Sequence, residues 1–158
     1  MQKITTFLWF DDNAQEAVKF YCKVFKKSKI LESHRFDDPF SGEKNKILTL
    51  AFQLEGQRFM AINGGPMFKF TEAISLYVDC KDQKEVDRLW AKLTANGGEE
   101  SQCGWLKDKF GLSWQIVPKV MGKYLCSKDP VKAKRAMNAM LKMKKLDVAA
   151  LKAAYDGK

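Results

Sequence analysis

The chain opens with alternation of apolar and polar positions. Ile4, Thr6, Leu8 and Phe10 form one set, and Thr5, Phe7 and Trp9 the other. A period of two is that of a strand with two distinct faces. At Asp11-Asp12-Asn13 the period changes, and Ala17, Phe20, Tyr21 and Val24 recur at helical spacing. Asn13 with Glu16 has the form of a capping box, in which the cap side chain takes an orphan helix N–H and the glutamate reaches back to the cap's own N–H. Strand-like runs follow at "KILESHRF" (29–36), "NKILTLAFQL" (45–54) and "FMAIN" (59–63), with Gly56 between the last two.

The same order then returns. A strand pattern at 73–80 leads into a capping box, Asp82 with Glu85, and a helix carrying Val86, Leu89, Trp90 and Leu93. The helices lie 69 residues apart, so Phe20 and Tyr21 correspond to Leu89 and Trp90. Short strand candidates follow at "GGEES" (97–101) and "GWLKD" (104–108). Aligning "FMAINGG" with "SWQIVPK" (113–119) pairs Met60 with Trp114, Ala61 with Gln115 and Ile62 with Ile116. The pattern predicts an α+β fold of two tandem β-α-β-β-β units in residues 1–118: unit one at 1–64, a joint at 65–71 and unit two at 72–118. A helical extension follows at 119–158.

Asn63-Gly64-Gly65-Pro66 follows a strand, as a phosphate-binding loop does. Such a loop needs a helix immediately after its glycines, so that helix N–H groups face the anion. Pro66 and an aromatic-rich stretch follow instead. The segment therefore reads as the joint between units, where glycine permits unusual backbone angles and proline stops strand pairing.

In the extension, Asp129-Pro130 is a helix start, with Val131, Ala133, Met137, Met140, Leu141 and Lys144 tracing a stripe expected to dock. Asp147 caps a second helix bearing Val148, Leu151 and Tyr155. The net charge of +9 belongs to this segment. Residues 1–118 hold 17 Lys and Arg against 16 Asp and Glu, whereas 119–158 hold 11 against 3. A nucleic-acid role would rest on that tail alone, and no aromatics interleave the lysines of its basic face for base stacking, so nucleic acid is not an expected partner.

No apolar run reaches the length of a membrane span, and the N-terminal apolar stretch is too short for a signal peptide. A cytoplasmic protein is expected. Cys22, Cys80, Cys103 and Cys126 include no Cys-x-x-Cys pair, so they read as reduced thiols. Cys103 has no activating histidine near it in sequence.

"LWFDDNAQEAVKFYCKVF", "NGGPMFKFTEAISLYVDC", "QCGWLKDKFGLSWQIVP" and "MLKMKKLDVAALKAA" resemble the PhnB-like branch of the vicinal-oxygen-chelate superfamily. That superfamily includes glyoxalase I, bleomycin-resistance proteins and dioxygenases, and the branch is often labelled 3-demethylubiquinone-9 3-methyltransferase-like. The resemblance implies sheets curled into half-barrels with the helices outside, a small organic ligand and a homodimer. It places metal ligands on the first and last strands of each unit, here at Thr5, Ala61, Ala73 and Gln115. Alanine ligates nothing, and Thr5 and Gln115 alone do not hold a divalent cation. No metal and no cofactor are therefore expected.

By strand parity the expected ligand-facing residues are Trp9, Phe59, Asn63, Ser75, Tyr77, Ser113 and Gln115. His34, the one histidine, is the candidate general base. Asp37-Asp38-Pro39 with Gly42 reads as a hairpin loop beside that face. The expected function is small-molecule binding without metal. The alternative is an enzyme of lyase, isomerase or dioxygenase type with a non-standard site. Methyl transfer is not expected, because a Rossmann-type cofactor site needs a Gly-rich turn after strand one, and no glycine precedes Gly42.

Overall fold

The computed structural model describes residues 3–39 and 42–158. They form two compact units, Met1–Phe70 and Thr71–Lys158.

The first unit runs β1 (Thr6–Phe10), α1 (Ala14–Val24), β2 (Lys29–Phe36), β3 (Lys46–Leu54) and β4 (Gln57–Asn63). Its sheet has the order β1-β4-β3-β2, with β1 and β4 parallel and the other pairs antiparallel. β3 turns into β4 through Glu55 and Gly56, both at positive φ, the requirement of a tight two-residue hairpin. Ala14, Ala17, Val18, Tyr21 and Val24 of α1 are buried, as are Leu8, Phe10, Leu50, Phe52, Phe59 and Ala61 on the strands.

The capping of α1 differs from the sequence expectation. Asn13 makes no side-chain cap bond. Asn63, at the end of β4, takes its place: Oδ1 accepts from Ala14 N–H at 2.8 Å while Nδ2 donates to the Ile47 carbonyl at 2.9 Å. One amide thus ties together the start of a helix and the ends of two strands.

The joint folds back on this unit. Gly64 N–H donates to the Phe10 carbonyl at 2.9 Å, and Gly65 N–H to that of Asp11 at 3.0 Å. The indole Nε1–H of Trp9 donates to the Gly65 carbonyl at 2.9 Å, and a Cβ at Gly64 would overlap the indole ring. Phe68 packs edge-on against Trp9, and Phe70 against Phe10. The two glycine N–H groups are therefore committed to carbonyls and do not face an anion. Of the joint read at 65–71, residues 65–70 group with the first unit and Thr71 with the second.

The loop between β2 and β3 is held by Asp38 and Gly42 through backbone bonds. Lys46 bridges Asp12 and Glu43 at 3.1 and 3.0 Å. The tip of that predicted hairpin loop, residues 40 and 41, lies outside the described residues, as do residues 1 and 2.

The second unit repeats the order: β5 (Ser75–Cys80), α2 (Gln83–Leu93), β6 (Glu99–Glu100), β7 (Trp105–Lys107) and β8 (Ser113–Pro118), with sheet order β5-β8-β7-β6. The cap of α2 is local. Asp82 Oδ1 accepts from Glu85 N–H, and Glu85 Oε2 accepts from Lys81 N–H, one residue before the cap. Asp108 is a buried acid that organises the entry to β8. Its Oδ1 accepts from Phe110 and Leu112 N–H at 2.8 and 3.1 Å, and its Oδ2 from the Trp114 indole at 2.8 Å. Gly111 completes the turn at φ +85°.

Three further helices follow within the second unit: α3 (Met121–Leu125), α4 (Pro130–Met140) and α5 (Val148–Asp156). Asp129 and Asp147 cap α4 and α5 as the sequence predicts. The predicted stripe is corrected in part: Met140 packs against the tail cluster as expected, but three of its members do not. Val131, Met137 and Leu141 are 62%, 39% and 57% exposed, while Ala136 is fully buried. The helix turns its small face inward, which lets α5 approach, and Leu146 and Leu151 supply the bulk beside Val117, Met121 and Tyr124. Gln83 of α2 anchors the connection, donating to the Leu146 carbonyl and accepting from Val148 N–H. Tail lysines are partly spent on the unit's own acids, Lys145 on Asp87 at 2.6 Å and Lys144 on Glu100 at 3.9 Å.

Candidate functional site

Strand register decides which side chains share a face, because directly paired residues point the same way. In each unit one sheet face meets the helix; the opposite face, which that helix leaves uncovered, is the open face of the sheet, and some of its side chains, Ala51 and Ser113 among them, are buried.

In the first unit the open face is built of cross-strand rows. One row is Trp9, Ile62, Thr49 and His34, and the next is Phe7, Met60, Ala51 and Glu32. Trp9 lies on this face, where strand parity put it, and His34, to which parity assigned no face, lies there too. The His34 Nε2 stands 3.8 Å from Glu32 Oε2, and Arg58 approaches Glu32 Oε1 at 3.7 Å, all three well exposed. Phe59 and Asn63 do not lie there. Phe59 pairs with Thr6 and Asn63 with Phe10, which puts them on the helix side. Phe59 is buried and stacked on Phe52, with ring centroids 5.5 Å apart. Asn63 has both ends of its amide engaged.

The cause is a one-residue error in matching the final strands. Trp9 pairs with Ile62, and its counterpart Tyr77 pairs with Gln115. Ile62, not Ala61, is thus the equivalent of Gln115, and Ala61 faces α1.

In the second unit Ser75, Tyr77, Ser113 and Gln115 do share the open face. One row reads Tyr77, Gln115 and Trp105, and its neighbour Ser75, Ser113, Lys107 and Glu99. Gln115 Nε2 donates to Ser75 Oγ at 2.8 Å. Ser113 is 1% exposed, and its hydroxyl has no hydrogen-bond partner among the described residues. An unpaired buried hydroxyl costs about 1–3 kcal/mol, and native proteins carry few of them. Trp105 and Lys107 were not among the sequence candidates. Their signal is the antiparallel pairing of β7 with β8, which a three-residue strand barely announces.

Titration follows the same geometry. Burial pushes the Tyr77 phenol up, with the Asp79 carboxylate adding to it. Lys107 is raised by its bond to Glu72, and Glu72 is lowered by the same bond. Burial pushes the Cys80 thiol up to about 12, and Cys22 is raised in the same way. Neither has the lowered pKa of a nucleophilic thiol. All four cysteines are free.

The positions at which the resemblance implies metal ligands do not fit a cation. Ala73 has no donor, Ala61 points to the helix, and the residue in register with Trp9 is Ile62. Ser75, Ser113 and Gln115 offer only neutral oxygens, a weak set for a divalent ion. Among the described residues no three His, Cys, Asp or Glu side chains are grouped to hold a metal. No helix there is long and apolar enough to cross a membrane.

Comparison with known proteins supplies the family. Among solved structures, the chain is similar to the PhnB protein from Bacillus cereus, at 38% identity over 74% of this chain and 99% of that one, with a TM-score of 0.67. It is similar in fold to protein PA1353 from Pseudomonas aeruginosa, at 20% identity over 75% and 98% of the two chains, TM-score 0.59. It is also similar in fold to the fosfomycin resistance protein FosX from Listeria monocytogenes, solved with Mn(II) and sulfate, at 14% identity over 80% and 98%, TM-score 0.55. No curated protein matches the chain. The family model described as 3-demethylubiquinone-9 3-methyltransferase matches residues 2–117, both β-α-β-β-β units, and the chain therefore belongs to that PhnB-like family.

Proposed function

We propose that this chain binds a small organic ligand on the open face of β5 and β8, without a metal ion. The observation that carries the reading is Ser113. Its hydroxyl is buried and, among the described residues, unpartnered beside the Ser75–Gln115 pair, so the protein holds a polar group that a ligand would satisfy. FosX was solved with Mn(II), but the neutral oxygens here favour hydrogen bonding over coordination. The family label names a methyltransferase. The turn after β1, Asp11-Asp12-Asn13, lacks the glycines that a Rossmann-type cofactor site needs, which argues against that chemistry.

The protein acts as a homodimer in this reading. Ile4, Phe7, Met67 and Phe68 of the first unit are large and exposed, and such side chains favour a protein contact. Native mass spectrometry of protein purified without chelator tests the proposal. A dimer carrying an organic adduct that Gln115→Ala loses is the expected result. About one transition metal per chain, by elemental analysis, overturns it.

A further inference from the structure

Resting on that binding reading, we infer that the ligand of the second unit is a flat, uncharged molecule presenting a carbonyl oxygen beside an N–H or O–H group. The polar groups fix the second half of this description. Ser113 supplies a hydroxyl with no partner among the described residues, and Gln115 has one half of its amide bonded to Ser75. A free hydroxyl donates to a carbonyl oxygen, and the remaining amide oxygen accepts from an N–H or O–H.

The aromatic residues fix the shape. Tyr77 and Trp105 stand on either side of Gln115 in the same cross-strand row. Tyr77 is 59% exposed and Trp105 half-buried. Two rings flanking a hydrogen-bonding amide suit a planar ligand, whose faces pack against rings while its edge meets polar atoms.

The charges fix neutrality. Lys107 stands next to Ser113 in register, but its ammonium is bonded to Glu72. Glu99 is paired across from it on β6. Asp79 extends the β5 side of the face, and Lys119 already stands 3.9 Å from it. A ligand carboxylate would meet acids whose nearby cations are engaged. That penalty discriminates an anion from its neutral isostere.

Benzamide and benzoate share shape and differ in charge, and together they test the inference on the full-length protein. Backbone N–H signals would be followed by NMR as each is added to about 20 mM, the weak range in which such a small probe binds. Benzamide is expected to shift Ser113, Gln115 and Tyr77 saturably, with benzoate leaving them in place. Ser113→Ala is expected to weaken benzamide about tenfold, one hydrogen bond's worth, while the exposed Ser101→Ala does not. Benzoate binding at these residues as well as benzamide overturns the neutral class but leaves small-ligand binding standing. Unchanged benzamide affinity in Ser113→Ala overturns the assignment of the carbonyl. No saturable shift with either probe overturns the inference and the ligand reading together.

Discussion

Removing the Asp108 carboxylate is the most direct test of how the second unit aims its site residues. In Asp108→Ala three donors lose their acceptor: the N–H groups of Phe110 and Leu112 and the Trp114 indole. The bonds to Leu112 and Trp114 are buried, so water does not replace the carboxylate there. Each buried orphan donor costs about 1–3 kcal/mol, which gives about 4 kcal/mol for the pair. Asp108→Asn keeps one oxygen for the two backbone donors but turns an NH2 group toward the indole, so about 2 kcal/mol is expected. Urea denaturation gives both values, and Trp114→Phe in the Asp108→Ala background recovers part of the loss by removing one orphan. A loss below about 1 kcal/mol in Asp108→Ala would refute the reasoning. The carboxylate would then not hold the turn that leads into Ser113 and Gln115.

Gly64→Ala forces a methyl group into the Trp9 indole, so the melting temperature should fall and Trp9 fluorescence should shift toward that of an exposed indole; an unchanged protein would mean that the joint is not packed on that ring. Leu151→Asp buries a charge in the tail cluster and should cost at least about 3 kcal/mol, whereas Leu141→Asp should stay within about 0.5 kcal/mol in a thermal melt. The reverse ranking would restore the stripe read from the sequence. Calorimetry should detect no heat from S-adenosylmethionine, and a micromolar affinity would contradict the reading of the turn after β1.

Periodicity carried the element order, because strand and helix periods are local and strong. The two helices were legible from Phe20 and Tyr21 and from Leu89 and Trp90, all at helical spacing. The shared strand face was legible in one unit only. Ser75, Tyr77, Ser113 and Gln115 share a face because β5 and β8 were read in the right phase. Phe59 and Asn63 were misplaced because register depends on which residue pairs with β1, and a slip of one reverses every side chain. The tail failed for another reason. Hydrophobicity ranks Met137 and Leu141 above Ala136, but close helix approach selects the small residue.

The two helix starts differ in what must happen before each is complete. The cap of α2 comes from Asp82, three residues before the N–H it serves, so it forms as soon as the first turn does. The cap of α1 comes from Asn63, 49 residues downstream of Ala14, and exists only after β4 has docked. Closing that loop carries an entropy cost that a local cap does not. The repeat therefore builds two like units with different timing. In pulse-labelled refolding α2 should gain N–H protection before the first turn of α1, and simultaneous protection would contradict that order.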